Sequence, residues 1–341
     1  MRDLIKLTRP LNLLIIGITM VLMRHGVIEG NLIRGLKALL LYLGDGTDID
    51  RLALPPWFGA QMPVPLFTLL VLSTVLIAAG GNVINDYFDT RIDRINKPGE
   101  VIVGRKVERR KAMLAHLVLS AIGLLCGLFV AWRTGMIQLV SIPAFAIAAL
   151  WSYSTVLKRQ LIAGNVLVAL LTALVPLTVG LYEIPLLQRA FSEPRELSIG
   201  GDIVQIVPVL DELWFWILGF SAFAFLATLV RELQKDMADV PGDRAAGCRT
   251  IPIVWGMQWS KFLVIGYILV ISIGVFLVSI ILPADRLVTW YFSLCVIGPL
   301  LISAGFTYHA RSRKEHILAG TMMKLAMVMA VASSLLIPYL N

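Results

Sequence analysis

The chain has 341 residues, 58% hydrophobic and 15% charged, with a mean hydropathy of +0.82 and a formal net charge of +8. A soluble domain carries about 25% charged residues, and two compact soluble domains of this length would need far more polar surface. That composition excludes a disordered chain, a nucleic-acid module and a disulfide scaffold, and describes a protein whose solvent is largely lipid.

A bilayer core needs about 20 apolar residues per helix. The N-terminus opens with Arg2, Lys6 and Arg9, then Pro10 and an apolar run from Leu11. No small-residue cleavage site follows, so this reads as an uncleaved first span. Arg24 and His25 interrupt its end, where charge snorkels to the interface. An outer segment over about 26–64 comes next, and 31–44 within it has the pattern of an amphipathic interfacial helix.

The second span, 65–85, ends in acid. Asn82, Asp86, Asp89 and Asp93 are spaced at offsets 0, 4, 7 and 11. On a helix these positions stack along one face. Basic residues follow: Lys97, Arg105, Lys106, Arg109, Arg110 and Lys111. Spans 112–132 and 136–156 come next, then Lys158 and Arg159, then a fifth span over 161–182. A second outer segment covers about 183–212.

The sixth span, 213–230, also ends in acid. Glu232, Asp236, Asp239 and Asp243 repeat the offsets of the first cluster, each 150 residues after its counterpart. The shared register suggests an internal duplication. Glu232, at the position of Asn82, is expected to pair with Lys235 or Arg231. Arg249 follows this cluster. Three more spans, 262–282, 287–308 and 317–340, complete nine, the last carrying Lys324. Cys126, Cys248 and Cys295 have no metal-site spacing, and the four histidines form no zinc motif.

Nine spans divide the connecting segments into two sets. One holds 21 of the 30 lysines and arginines and the other 8, so the positive-inside rule puts the first set in the cytoplasm. The N-terminus and both acidic clusters lie on that side of an integral protein of the inner or plasma membrane. The whole chain, 1–341, is expected to form one domain with two outer insertions.

Stacked carboxylates repel, by a few tenths of a kcal/mol per pair at i, i+4. One cluster could be a solvated face paired with Arg91, Arg94, Arg231, Lys235 or Arg244. Two in the same register at cytoplasmic helix ends point to a shared hard cation. Mg2+ suits them, since it takes one or two carboxylates and completes its shell with water and phosphate. Flanking Lys and Arg suit a diphosphate.

Asn85-Asp86-x-x-Asp89-x-x-x-Asp93 resembles the NDxxDxxxD motif of the UbiA superfamily of intramembrane prenyltransferases. Asp236-x-x-Asp239-x-x-x-Asp243 resembles its second motif. Arg9-Pro10-x-Asn12, Lys158, Gly164-Asn165 and the Arg244, Gly247, Thr250 pattern agree. The stretch from Arg231 to Asp243 is most similar to the digeranylgeranylglyceryl phosphate synthase branch. The resemblance implies an all-α fold of nine transmembrane helices around a central cavity. It also implies Mg2+, as two ions bridging a prenyl diphosphate, held by Asp86, Asp89, Asp93, Asp236, Asp239 and Asp243.

On this reading the chain is an enzyme. It would transfer a prenyl group, geranylgeranyl by the branch, to a membrane-associated acceptor such as geranylgeranylglyceryl phosphate. Arg105, Lys158 and Arg249 would add donors to the phosphates, and Asn12, Asn82 and Asn85 would orient acceptor or metal. No nucleic acid or obligate protein partner is expected. An aromatic quinone precursor of the 4-hydroxybenzoate, dihydroxynaphthoate or homogentisate type is the alternative acceptor. A divalent-cation transporter is more distant, because its acids should lie near the bilayer midplane. A CDP-alcohol phosphotransferase would carry a different aspartate motif.

Overall fold

The computed structural model describes residues 2–42, 54–55, 57–199, 202–281 and 286–340. Among them nine helices are long and apolar enough to cross a bilayer. They are α1 (Pro10–Tyr42), α2 (Val64–Phe88), α3 (Arg109–Arg133), α4 (Ile137–Thr155), α5 (Ala163–Ala190), α6 (Leu210–Ala245), α7 (Met257–Ile281), α8 (Arg286–His309) and α9 (Arg313–Tyr339). The fold is all-α in its membrane part, as the sequence predicts. Leu114, Leu117, Leu125 and Phe129 on α3, with Phe262, Leu269, Ile273 and Phe276 on α7, are exposed. A belt of this size needs lipid around it; the protein is integral to a membrane.

Between helices in lipid the hydrophobic effect is weak, so close packing of small residues has to hold them. The α2–α3 contact follows this rule. A Cβ at Gly80 would come within 2.7 Å of Ser120 Oγ, and one at Gly123 within 2.7 Å of Ile77 and 3.0 Å of the Ser73 carbonyl. Ser73 Oγ donates to the Gly123 carbonyl at 2.6 Å. The half of the bundle away from the acidic clusters is filled by Met20, Met23, Phe67, Leu70, Tyr182, Trp216 and Ile217. Val230, Leu233, Val264, Ile268, Leu300 and Met323 fill the contact of α6 with α7, α8 and α9.

The first helix departs from expectation. The outer segment was expected to begin at residue 26, yet α1 continues through a π-helical turn (Met23–Glu29) and on to Tyr42. Charge does not stop it because the charge is paired. Arg24 lies 3.6 Å from Glu183 of α5, donates to the Met62 carbonyl at 2.5 Å and stacks on Phe67. Glu183 also accepts the backbone N–H groups of Gln61 and Met62. This buried polar knot closes the end of the bundle opposite the aspartate motifs. The stretch expected to lie at the interface is instead packed: a Cβ at Gly30 would meet Pro338 at 3.2 Å, and Leu36 and Leu40 are buried. Residues 43–44 of that stretch lie outside the described residues.

The second outer segment is likewise ordered. α5 runs on to Ala190, and an antiparallel hairpin (Arg195–Ile199 with Asp202–Ile206) precedes α6. Leu197 of the hairpin packs with Leu36 and Leu40, and Arg34 forms an ion pair with Glu212.

Candidate active site

α2 ends at Phe88, Asp89 forms a one-residue turn, and a short helix (Thr90–Asn96) continues almost in line. The Asp89 and Asp93 backbone N–H groups bond the Asn85 and Asp89 carbonyls at 2.9 and 2.8 Å, so helical geometry carries across the turn. Asn82, Asp86, Asp89 and Asp93 therefore keep one face, as expected. The second set lies on a single helix, α6, which is 36 residues long.

Asn96 joins the two motif segments. Its Nδ2 donates to the Asp239 carbonyl at 3.1 Å, and its Oδ1 accepts the Gly242 N–H at 2.9 Å. Gly242 is required here, since a Cβ would lie 2.5 Å from the Asn96 amide nitrogen. The two acid stripes thus sit side by side at the same end of the bundle.

Of the neighbouring cations named as partners for a solvated face, Arg231 and Lys235 pair with Glu232, while Arg91, Arg94 and Arg244 pair with no stripe carboxylate among the described residues. The aspartates take their partners from distant elements. Arg9 Nη2 lies 2.7 Å from Asp86 Oδ1. Arg9 has φ +55°, a left-handed conformation rare outside glycine, and Pro10 after it disfavours the right-handed alternative. The strain aims its guanidinium at the stripe. Asn82 donates to the Thr8 carbonyl at 2.9 Å, tying the same N-terminal turn to α2.

Lys158 forms an ion pair with Asp89, which also accepts from Asn85 Nδ2 at 2.8 Å. Burial pulls the Lys158 ammonium down, but the charge of Asp89 and the Tyr153 phenol outweigh it and raise its pKa. Lys158 sits in a tight turn (Leu157–Arg159) that folds back over α5; a Cβ at Gly164 would come within 2.9 Å of the Leu157 carbonyl. The next residue, Asn165, donates to Asp236 Oδ2 at 2.8 Å. The adjacent pair Gly164-Asn165 thereby links both stripes to one turn. Arg313 reaches Asp239 at 3.4 Å from the first turn of α9. That helix start is fixed by a capping box in which Glu315 accepts from the Ser312 and Arg311 backbones.

Asp93 is half-buried; burial first, then the charge of Asp89, pushes its carboxyl above the ordinary carboxylate range, with Lys97 and Lys158 opposing. Glu232 is buried between Arg231 at 2.6 Å and Lys235 at 3.2 Å, the pairing expected from sequence.

Of the three cations expected to hold phosphate, Lys158 alone touches a stripe. Arg105 is exposed and donates to the Pro98 carbonyl at 2.7 Å. Arg249 is also exposed; its backbone N–H bonds the Arg159 carbonyl at 2.9 Å, which pins the second motif's loop to the Lys158 turn. Asn12 lies deeper, accepting from Lys324 Nζ at 2.6 Å. Sequence reasoning named no site role for Arg9, Asn96, Asn165, Arg313 or Lys324. The available signals were Gly242 inside a charged helix, the lone lysine in the last span and the Arg-Pro entrance.

Among the described residues no three acidic side chains converge on one metal-sized point. Mg2+ does not require this, because phosphate and water complete its shell. The donor set suits such an ion: oxygens only, on two adjacent stripes, with the buried Asn85 Oδ1 lacking a partner among the described residues. Beneath the stripes a cavity of about 290 Å³ lies among α1 to α6 and α9. Asn12, Asn82, Arg231 and Lys324 line its upper part; Leu70, Val175 and Tyr182 line its lower part.

Acid stripes over an apolar intramembrane cavity, within nine helices, define a class. The chain belongs to the UbiA prenyltransferase family, whose profile matches residues 53–328. It is 34% identical over 200 residues to the digeranylgeranylglyceryl phosphate synthase of Natronomonas pharaonis, covering 59% of this chain and 61% of that protein. With the synthase of Korarchaeum cryptofilum it shares 28% over 268 residues, 77% of this chain and 83% of the relative. The matches to the first three relatives span 58–63% of their lengths. The fold superposes on a solved digeranylgeranylglyceryl phosphate synthase with TM-score 0.56 and 19% identity, covering 98% of both chains. It also superposes on a UbiA homologue from Archaeoglobus fulgidus bound to GPP and Mg2+, with TM-score 0.53 and 15% identity over 97% of this chain and 99% of that one.

Proposed function

We propose that the chain, as one domain, transfers a prenyl group from a prenyl diphosphate to the free hydroxyl of a lipid such as geranylgeranylglyceryl phosphate. The observation that carries this reading is the junction of two aspartate stripes above an apolar cavity. The relatives' names favour geranylgeranyl as donor group and a glyceryl phosphate as acceptor. The Mg2+ and GPP of the Archaeoglobus homologue favour a divalent ion and a diphosphate. The active face lies in the cytoplasm with the N-terminus.

Asp86, Asp89 and Asp93 would hold one Mg2+, and Asp236, Asp239 and Asp243 a second. When bound, the metal neutralises charge that develops on the departing diphosphate. Lys158, which pairs with Asp89 in this structure, would donate to the phosphate oxygens and so stabilise the leaving group with a fixed charge. Arg105 and Arg249 add to the field that draws the anion in. Asn85 Oδ1 would be a further oxygen donor for the metal, while Asn82 and Asn12 would orient the acceptor. The allylic C–O bond breaks with its electron pair going to the diphosphate. The cavity keeps water from the allylic cation, and the acceptor oxygen attacks the same carbon and passes its proton to the departed diphosphate.

A transfer assay tests this. Labelled geranylgeranyl diphosphate is paired with geranylgeranylglyceryl phosphate, 4-hydroxybenzoate, dihydroxynaphthoate and homogentisate in turn. Mg2+-dependent product with the glyceryl phosphate is expected. Product with an aromatic acid alone would transfer the reading to quinone precursors. Metal flux across liposomes with no prenyl transfer would mark a transporter.

A further inference from the structure

Lys324 is unused by the mechanism above. It lies eleven residues into α9, about 16 Å along the helix, in an otherwise apolar span. An ionisable group at such a place marks a functional site unless a counter-charge explains it. Among the described residues Lys324 has no carboxylate partner; its one bond is to the neutral Oδ1 of Asn12 on α1. Arg231 lines the same cavity, and among the described residues its one partner is Glu232, on Nη2. Thr228, one turn deeper on α6, lines it too, and its buried Oγ1 has no partner among the described residues.

We infer that Lys324, Arg231 and Asn12 form a second anion site, one that takes the phosphate of the acceptor lipid. It deepens the reading of the chain as a prenyl-lipid transferase and rests on it. The site is separate from the metal stripes. Arg231 precedes Asp236 by five residues, about 7.5 Å toward the bilayer, and the intervening Glu232 is committed to Arg231 and Lys235. The donor's diphosphate belongs above, with the aspartates. The Lys324 ammonium (without an ionic partner among the described residues), the guanidinium N–H groups of Arg231 that Glu232 does not take, and the Asn12 amide together match a phosphate dianion better than a single carboxylate.

Access favours an amphiphile. Lys324 and Asn12 meet across α1 and α9, whose flanks expose Leu11, Leu14, Leu325 and Val328. A lipid moving in the membrane plane can bring its head group between these helices while its tail stays in apolar surroundings. The head group then lies beside the cavity, with its glycerol hydroxyl free to approach the reacting carbon from below the diphosphate.

The test measures binding of geranylgeranylglyceryl phosphate, of geranylgeranylglycerol without phosphate and of 4-hydroxybenzoate. The full chain is used in lipid nanodiscs, with no Mg2+ and no donor. Wild type is expected to prefer the phosphate lipid over its alcohol by about tenfold or more. Lys324→Met should bind the two alike, and Lys324→Arg should retain most of the preference, which shows that charge and not packing is read. Equal binding of both lipids by wild type, or a preference kept by Lys324→Met, overturns the site. So does displacement of the phosphate lipid by equimolar 4-hydroxybenzoate. A wild type that shows the preference yet transfers no prenyl group to this lipid would overturn the proposed function and leave the anion site standing.

Discussion

The two acid stripes share one spacing and differ in what holds them. The first is bound by cations: Arg9 on Asp86 and Lys158 on Asp89. In the second the cations gather on Glu232, which takes Arg231 and Lys235, while Asp236 accepts from the neutral Asn165 and the buried Asp243 has no ion-pair partner among the described residues. Arg313 reaches only Asp239, at 3.4 Å. Identical registers thus give unequal readiness for metal. If the stripes hold metal as proposed, an incoming ion would displace Arg9 and Lys158 from the first, whereas Asp236 and Asp243 of the second have no cation to displace among the described residues. The second stripe should load first, and the first stripe should release Lys158 to the phosphates as it loads.

The largest effect expected is loss of turnover when either stripe is cut. Asp86→Ala and Asp236→Ala should each lower prenyl transfer by at least about 10²–10³-fold, with the protein still inserted and monodisperse. If one of the two kept near wild-type rates, the stripes would not act together. At partial Mg2+ occupancy Asp236→Asn should weaken metal affinity more than Asp86→Asn does; the reverse order would break the asymmetry drawn here.

Next is the joint between stripes. Gly242→Ala drives a methyl into Asn96, and overpacking of this kind costs about 1–3 kcal/mol. A lower thermal midpoint is expected with reduced turnover. Asn96→Ala should lower turnover with a smaller stability loss, and Gly242→Ala placed in that background should become better tolerated. Additive losses would show that the two residues do not meet.

Lys158→Met tests the lock on the first stripe. With its cation gone, Asp89 keeps only its bond from Asn85, so apparent Mg2+ affinity should tighten severalfold while KM for the diphosphate rises about tenfold. An unchanged KM would remove Lys158 from the phosphate site.

The smallest effect concerns pH. The carboxyl of Asp93 sits above its ordinary value because of burial and Asp89. Its protonated form is thus favoured in the fold, and the stability this gives is present at low pH and lost as pH rises through the raised value. Asp93→Asn should therefore raise the metal-free thermal midpoint slightly at neutral pH, and the gain should vanish in acid. Mg2+ should stabilise wild type more than this variant. A gain independent of pH would point to packing instead.

Much of this was legible in the sequence because its signals are local. A 20-residue apolar run needs no partner to be recognised, and offsets of 4 and 3 put the aspartates on one face whatever surrounds them. The pairing of Glu232 with Arg231 and Lys235 was legible for the same reason, all three lying within one turn. The partners of the stripes were not, because Arg9, Asn165 and Arg313 reach them across helices. Arg24 misled in the other direction. Read alone, it ends a span; paired with Glu183 of α5, it permits a helix that runs on to Tyr42. Lone opposite charges in two apolar runs were the available hint.

The most direct test is calorimetric titration of Mg2+ into the protein with an unreactive thio-analogue of geranylgeranyl diphosphate bound. Wild type should bind two ions per chain in a diphosphate-dependent manner. Asp86→Asn and Asp236→Asn should each lose part of that binding, and together all of it. Diphosphate-dependent binding left intact by either substitution would contradict the claim that both stripes grip the metal.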